Sequence, residues 1–528
     1  MMGNKKLQVW LPLLFSLVLI AGMFMGYQLG SRGGRHFFSS GRSSSLQEAL
    51  DLIRLKYVDS VQLDSLEGKA IEEMMSELDP HSVYLPPVKL QEANDDLAGN
   101  FQGIGVEFSI FNDTVNVVYV IPGGPSEKAG LKTGDRIIRA NDSLIAGRKM
   151  EAEAVKQFIR GPGGSKAVLQ ILRDQKPLTI TVTRGTIPVP SVDAAYMLDN
   201  KTGYIKLNKF TENAYEEFMK ALEELKKQGL QSLVFDLRGN GGGFMNEAVD
   251  IADEFLDGDK LVVYMQGAKT KKTEYRCKRP GLFEKGKLVL LVDELSASAS
   301  EVLAGALQDW CRAEVIGRRT FGKGLVQQQY PLSDGAAIRL TIARYYTPIG
   351  RSIQRSYDKG HKVYMDELWE RYNSGEMFSS DSVRQHHNGK MFYSVCRDTL
   401  YGGDGITPDI FVPLDTTLFK APLGRWLDGE KMSRYLYNYY VQHSAEMNRY
   451  ASAAEYIQRF PAGPLWEGLL RITKDDSLRP QQLSPAEQAS LQLRMKALLA
   501  RYKWRNSGYF QVINQEDPVI RRALSALQ

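Results

Sequence analysis

The sequence predicts an α/β core built on a mixed, largely parallel sheet, with a small β-rich domain inserted ahead of it, helices toward the N-terminus and a helical C-terminal extension. Three patterns carry this expectation. From Gly203 to Cys311 strand-like and helix-like segments alternate, which implies substantially parallel strands joined by crossovers. Between Phe101 and Thr183 short β-branched runs alternate with Gly and Pro turns around one helical stretch. At both ends of the chain apolar residues recur at helical spacing.

Taken in order, residues 1–30 open with Lys5 and Lys6 and then run from Leu7 to Leu29 without a charged side chain. At 1.5 Å per residue such a run spans a hydrocarbon core of about 30 Å. It ends in Gly-Tyr-Gln-Leu-Gly rather than in an A-x-A cleavage site, so the expectation is an uncleaved transmembrane anchor and not a signal peptide. Residues 31–45, rich in Gly, Ser and Arg, read as a flexible linker. Residues 46–98 begin with apolar positions Leu46, Leu50 and Ile53, then Ile71, Met74, Met75 and Leu78, predicting two helices closed by Asp79-Pro80.

Residues 99–185 form the small β-rich domain, with strands at Val115 to Ile121, Ala167 to Leu172 and Leu178 to Val182, and a helix at Met150 to Ile159. Residues 186–414 form the α/β core. Its strands lie at Tyr204 to Lys206, Ser232 to Leu237, near Leu261 and at Leu288 to Val292; its helices lie at Ala214 to Gln228, Met245 to Phe255 and Ala299 to Cys311. Within it residues 356–395 are polar and aromatic without clear period and read as an insertion. Residues 415–528 are mostly helical, with Tyr and Leu stripes.

Composition excludes several classes. Across 528 residues 43% are hydrophobic and 24% charged, an ordinary globular balance, and the net charge of +5 is too small to argue for nucleic acid. The three cysteines, Cys277, Cys311 and Cys396, follow no metal-ligand spacing and build no disulfide framework, although one bridge remains open.

Three segments carry chemistry. In DELSASASE, Asp293 to Glu301, an apolar strand runs into small residues where a helix begins. A serine at such a junction sits beside free backbone N–H groups and the positive end of a helix, where an oxyanion is stabilised. Ser298 to Glu301 equally fits an S-x-x-E capping box, a purely structural use of the same hydroxyl. In TFGKGLVQ, Thr320 to Gln327, Lys323 stands between two glycines; Gln327 follows at an even offset and shares its face if the segment is a strand. A lysine acts as a base only when neutral, which needs burial to lower its pKa by about three units; an exposed turn is the alternative. In DLRGNGGGF, Asp236 to Phe244, a strand leads into glycines whose amides can converge on an anion, or form a bare turn. Histidine is scarce, and a Ser–His pair through His386 or His387 is the competing arrangement.

Together and in this order, these segments resemble the family of C-terminal processing, or tail-specific, proteases. The resemblance rests also on LDPHSVY at Leu78 to Tyr84, FQGIGVEF at Phe101 to Phe108, PSEKAGLKTGDRI at Pro125 to Ile137, LTIARYYTPIGRSIQ at Leu340 to Gln354 and GGDGITPDI at Gly402 to Ile410. It implies a serine endopeptidase with a Ser–Lys dyad: Ser298 as nucleophile, Lys323 as general base and Gln327 positioning the lysine. It implies an oxyanion hole from the amide of Ala299 with one from Gly241 or Gly242, where the family often has proline in place of Gly241. Residues 99–185 then resemble a PDZ domain that captures a free C-terminus, with Gly103, Ile104, Gly105 and Val106 as the carboxylate loop and Arg160 where relatives carry an arginine linked to peptide sensing. No metal, nucleotide or other cofactor is implied.

The implied partners are protein or peptide tails, the membrane through the N-terminal helix, and a second copy of the chain through helices 46–78, whose stripes equally fit packing on their own core. The implied location is the inner membrane, single-pass, with the catalytic part outside the cytoplasm. A catalytically inactive, PDZ-containing peptide-binding scaffold is the alternative, against which the joint retention of Ser298, Lys323 and Gln327 argues.

Overall fold

The computed structural model describes residues 16–23, 25, 44–379, 389–416, 427, 429–474 and 480–528. It divides into two compact units, residues 1–74 and 75–528. The first contains the helix Ser45–Lys56, capped by Ser44, whose hydroxyl accepts the Gln47 amide at 3.3 Å, and nearly all of the helix Leu63–Ser76; neither helix buries a residue.

The transmembrane anchor expected over Leu7 to Leu29 is corrected. No helix among the described residues is long and apolar enough to cross a membrane. Within that stretch only residues 16–23 and 25 are described, as helix. The rest of the expected anchor, with most of the 31–45 linker, lies outside the described residues. The membrane as partner, the single-pass topology and the inner-membrane location rest on that anchor and fall with it; the placement of the catalytic part outside the cytoplasm was implied by the family resemblance and not by the anchor.

In the second unit the central sheet runs Val192–Met197, Thr202–Leu207, Ser232–Asp236, Lys287–Val292, Glu314–Gly317, Ile410–Phe411. Its first pairing is antiparallel and the others are parallel. Parallel strands need cover on both faces, and Ser232–Asp236 is accordingly buried throughout. On one face the helices Ala214–Lys227, Met245–Asp253 and Ala299–Asp309 close over Phe218, Phe235 and Phe255, whose rings lie 5.2–5.9 Å apart. On the other, Val519, Ile520 and Ala523 of the last helix, Pro518–Ala526, pack against Val234, Val289 and Leu291. The C-terminus therefore completes the core of the α/β sheet.

A second, antiparallel sheet brings distant motifs together. Strand Val83–Leu85, just after LDPHS, pairs with Ala337–Tyr346, which in turn pairs with Leu325–Pro331, just after Lys323. Segment 356–395 contains a helix, His361–Asn373, that the sequence pattern does not reveal. Charge holds it rather than an apolar stripe. Arg371 and Arg319 meet Glu376 at 3.0 and 2.8 Å, and Glu367 pairs with Arg355 and Arg319. Cys311 and Cys396 form the one bridge the sequence left open, while Cys277 is free and buried.

Residues 99–185 hold an antiparallel sheet of Val106–Phe111, Thr114–Val120, Arg136–Ala140, Lys166–Arg173 and Lys176–Thr183, with the helix Ala152–Ile159 packed on it through Val155 and Ile159. Entry and exit strands Asn100–Gly103 and Gly185–Pro188 pair with each other, as an inserted domain requires. The C-terminal helices Glu430–Gln442, Ala453–Arg459, Ala462–Ile472 and Pro485–Ile513 share a core of Leu436, Tyr456, Leu469 and Met495. Tyr437 leaves that core to donate its hydroxyl to the Val117 carbonyl at 3.1 Å.

Candidate active site

Strand Lys287–Val292 ends at the small-residue cluster, and the helix Ala299–Asp309 starts directly after Ser298. Ser298 has φ 56°, a left-handed conformation that costs a non-glycine residue about 1–2 kcal/mol and persists only when its surroundings enforce it. Its serine neighbours provide part of that enforcement. Ser296 and Ser300 are fully buried and donate to the carbonyls of Leu237 and Asn240, at 2.9 and 2.8 Å. Of the three serines, only Ser298 faces the adjoining cleft.

The glycine turn after Asp236 lies against Ser298. A Cβ at Gly242 would stand 2.8 Å from the Ser298 Cβ and 3.0 Å from the Ala299 nitrogen, so the approach requires glycine there. Ala299 is the first residue of its helix, and its amide has no partner within the helix. The Gly242 amide donates to Asn240 Oδ1 at 2.9 Å, leaving Gly241 as the neighbouring turn amide without that bond.

Lys323 lies just before strand Leu325–Pro331, and a bulge at Val326/Gln327 alters the register. The even-offset argument required a strand through both residues, and Lys323 lies outside it. Lys323 Nζ nonetheless donates to Gln327 Oε1 at 3.0 Å, and Gln327 Nε2 donates in turn to the His81 carbonyl. Nor is the glycine-flanked lysine an exposed turn. A Cβ at Gly324 would lie 2.6 Å from the Gln354 backbone nitrogen, and one at Gly322 about 3.1 Å from the Arg355 side chain. Burial lowers the Lys323 pKa from its ordinary value, and the positive charge of Arg339 lowers it further, against opposing pulls from Glu301 and Asp79.

Glu301 joins the two motifs and is a residue that sequence reasoning reduced to a helix cap. Fully buried, it accepts the amides of Ser298 and Lys323 on Oε2, each at 2.8 Å, and the Thr320 hydroxyl and Gly322 amide on Oε1, each at 2.6 Å. Burial pushes its carboxyl pKa up while these donors pull it down. The only sequence signal for it was the capping-box spacing.

His81, within the LDPHSVY segment, also enters the site. Its ring nitrogen meets the Tyr364 hydroxyl at 2.8 Å and its ring stands edge-on to Phe321 and Tyr364, beside the lysine. Burial, reinforced by the Lys323 charge, lowers its pKa to about 3, so it is neutral near pH 7. Asp79 fixes this loop by accepting the amides of His81 and Ser82 at 2.9 and 3.0 Å. His386 and His387 lie outside the described residues.

Ser298, Lys323, Gln327, Gly241 and Gly242 line one cleft of about 1130 Å³, with Met265, Ile342 and Tyr345 on its apolar wall. The cleft thus gathers a hydroxyl, a largely desolvated amine whose hydrogen bond goes to Gln327 Oε1, and a turn of backbone donors. A second cavity, of about 420 Å³, is lined by Gly103, Ile104, Gly105, Val106 and Arg160, so the expected carboxylate loop and arginine do share a groove. Arg160 stacks over Phe101 at 4.6 Å.

Comparison with known proteins agrees with this geometry. Residues 201–360 match the model of peptidase family S41, and residues 102–183 match a PDZ domain. Over 350 residues the chain is 35% identical to a carboxy-terminal-processing protease of Bartonella bacilliformis, an alignment covering 65% of this chain and 80% of that protein. It is 36% identical over 316 residues to the carboxy-terminal processing protease CtpB of Bacillus subtilis, covering 59% of this chain and 65% of that one. It is 35% identical over 300 residues to a probable CtpA-like serine protease of Staphylococcus epidermidis, covering 56% and 60%. The chain thus spans most of the first relative and somewhat under two thirds of the other two. With a PDZ domain ahead of its S41 core, the chain belongs to the S41 peptidases, among the carboxy-terminal processing proteases.

Proposed function

We propose that this protein is an endopeptidase that captures the C-terminal tail of a polypeptide in its PDZ groove and cleaves an unfolded segment through an acyl-enzyme. In this reading residues 99–185 hold the tail and residues 186–414 perform the chemistry. Neutral Lys323 takes the Ser298 proton as Oγ attacks the scissile carbonyl. The resulting oxyanion rests on the Ala299 amide and one from the Gly241–Gly242 turn, and Lys323 then protonates the leaving amine. Water, deprotonated by the same amine, attacks the acyl carbon, and the amine returns that proton to Ser298 Oγ as the acyl bond breaks. Gln327 is a positioning residue that keeps the amine directed without adding a negative charge that would raise its pKa.

The observation that carries this reading is the Lys323–Gln327 contact in a cleft shared with Ser298, with the lysine held below its ordinary pKa. The test is proteolysis of an unfolded polypeptide with a free C-terminus. Ser298→Ala and Lys323→Ala are each expected to abolish cleavage while retaining the fold. Cleavage by Ser298→Ala at the normal rate would falsify the assignment.

A further inference from the structure

The groove lined by the carboxylate loop is not built by the PDZ domain alone. Leu436, Leu498, Arg501, Tyr502 and Arg505 of the C-terminal extension line the same cavity. The extension reaches it through the helix Pro485–Ile513, which breaks its helical geometry at Arg505, φ 58°. That backbone conformation is unfavourable for arginine, so the contacts made there must sustain it. The Arg505 guanidinium bonds the carboxylate of Glu107 and lies 3.9 Å over the Tyr119 ring, while Arg501 stands 4.0 Å from the same carboxylate. Two arginines thus share one acid. Counting Lys156 and Arg160, the groove is lined by four cations and a single carboxylate.

The register of a bound tail follows from strand geometry. A peptide added along Val106–Phe111 presents alternate side chains to opposite faces. Val106, Phe108 and Ile110 pack toward the domain core, so Glu107 lies on the other face, with the extension's arginines. A tail whose terminal side chain points inward therefore directs its penultimate side chain toward Arg501 and Arg505.

We propose that the C-terminal extension forms the second wall of the tail groove and selects tails with an acidic penultimate residue, through Arg501 and Arg505. This rests on the tail-binding reading above and names the tail class. The test is fluorescence anisotropy with the full chain carrying Ser298→Ala, using peptides identical except for Glu or Gln at the penultimate position. A parallel pair varies the next residue inward, and a matching peptide ends in a carboxamide.

The expected result is about fivefold to tenfold tighter binding of the penultimate Glu tail, a difference appropriate to a partly exposed ion pair. Arg501→Gln should shrink it to about twofold or less; Arg501, at 46% side-chain exposure, can be replaced without opening the core. The inward pair should show no such preference. Equal affinity for both penultimate tails, or a preference surviving Arg501→Gln combined with Arg505→Gln, overturns the proposal while free-acid tails still bind. Failure of every tail to bind, or equal binding of the carboxamide, overturns the tail-binding reading and this proposal with it.

Discussion

The backbone amides of Ser298 and Lys323 donate to the same atom, Oε2 of Glu301, each at 2.8 Å. A single buried carboxylate thus fixes the spacing between the backbones that carry the hydroxyl and the amine. Glu301→Gln offers one acceptor oxygen where the carboxylate offers two, and turns an NH2 group toward N–H donors. Each buried donor left without an acceptor costs about 1–3 kcal/mol. We therefore expect a measurable loss of stability in denaturant unfolding together with loss of cleavage. Unchanged stability would show that the carboxylate does not hold the two segments.

Arg339 lowers the Lys323 pKa through like-charge repulsion. A lysine base works in its neutral form, so activity rises as pH passes upward through that pKa. Arg339→Gln removes the repulsion, raises the lysine pKa and moves the acidic limb of kcat/KM toward higher pH. The pH profile of peptide cleavage measures this; a shift to lower pH would contradict the electrostatic assignment.

Gln327 touches Lys323 through one bond and the His81 carbonyl through another. Gln327→Ala should reduce kcat by about tenfold to hundredfold, because the amine is no longer held in line, while KM changes little. Gln327→Glu should instead raise the lysine pKa and move the acidic limb upward. A pure KM effect in the alanine variant would make Gln327 a substrate contact.

His81 is held neutral, with its pKa lowered to about 3 from 6.5. Between those values the unfolded chain binds a proton that the folded protein does not. Stability is therefore whole above pH 6.5 and falls as pH drops toward 3, by about 1.4 kcal/mol per pH unit at the steepest. His81→Phe keeps an aromatic ring beside Phe321 and removes this titration, so its unfolding midpoint should vary less with pH over that window. Parallel pH curves for the two proteins would contradict the burial argument.

Local signals account for what the sequence made legible. Leu288 to Val292 is a five-residue apolar run, and the small residues after it could only be a tight junction; the structure has a strand and helix on either side of Ser298. The pattern Gly322-Lys323-Gly324 drew attention to the lysine but left an exposed turn open; the contacts of those glycines with Arg355 and Gln354 exclude that turn. What escaped depends on residues far apart in the chain. Glu301 meets Lys323 across 22 positions, and Arg505 meets Glu107 across 398. The helix His361–Asn373 escaped because buried ion pairs hold it, and they leave no apolar period. The anchor expectation rested on a charge-free run that lies mostly outside the described residues, and the described part holds no helix long and apolar enough to cross a membrane.

Covalent trapping of the nucleophile tests the central claim most directly. The protein is treated with a serine-reactive phosphonofluoridate at several pH values, and the adduct is located by peptide mass spectrometry. The account predicts modification of Ser298, faster as pH rises, and slowed by about a hundredfold or more in Lys323→Ala. Modification of Ser296 or Ser300 instead, or an unchanged rate in Lys323→Ala, would contradict it.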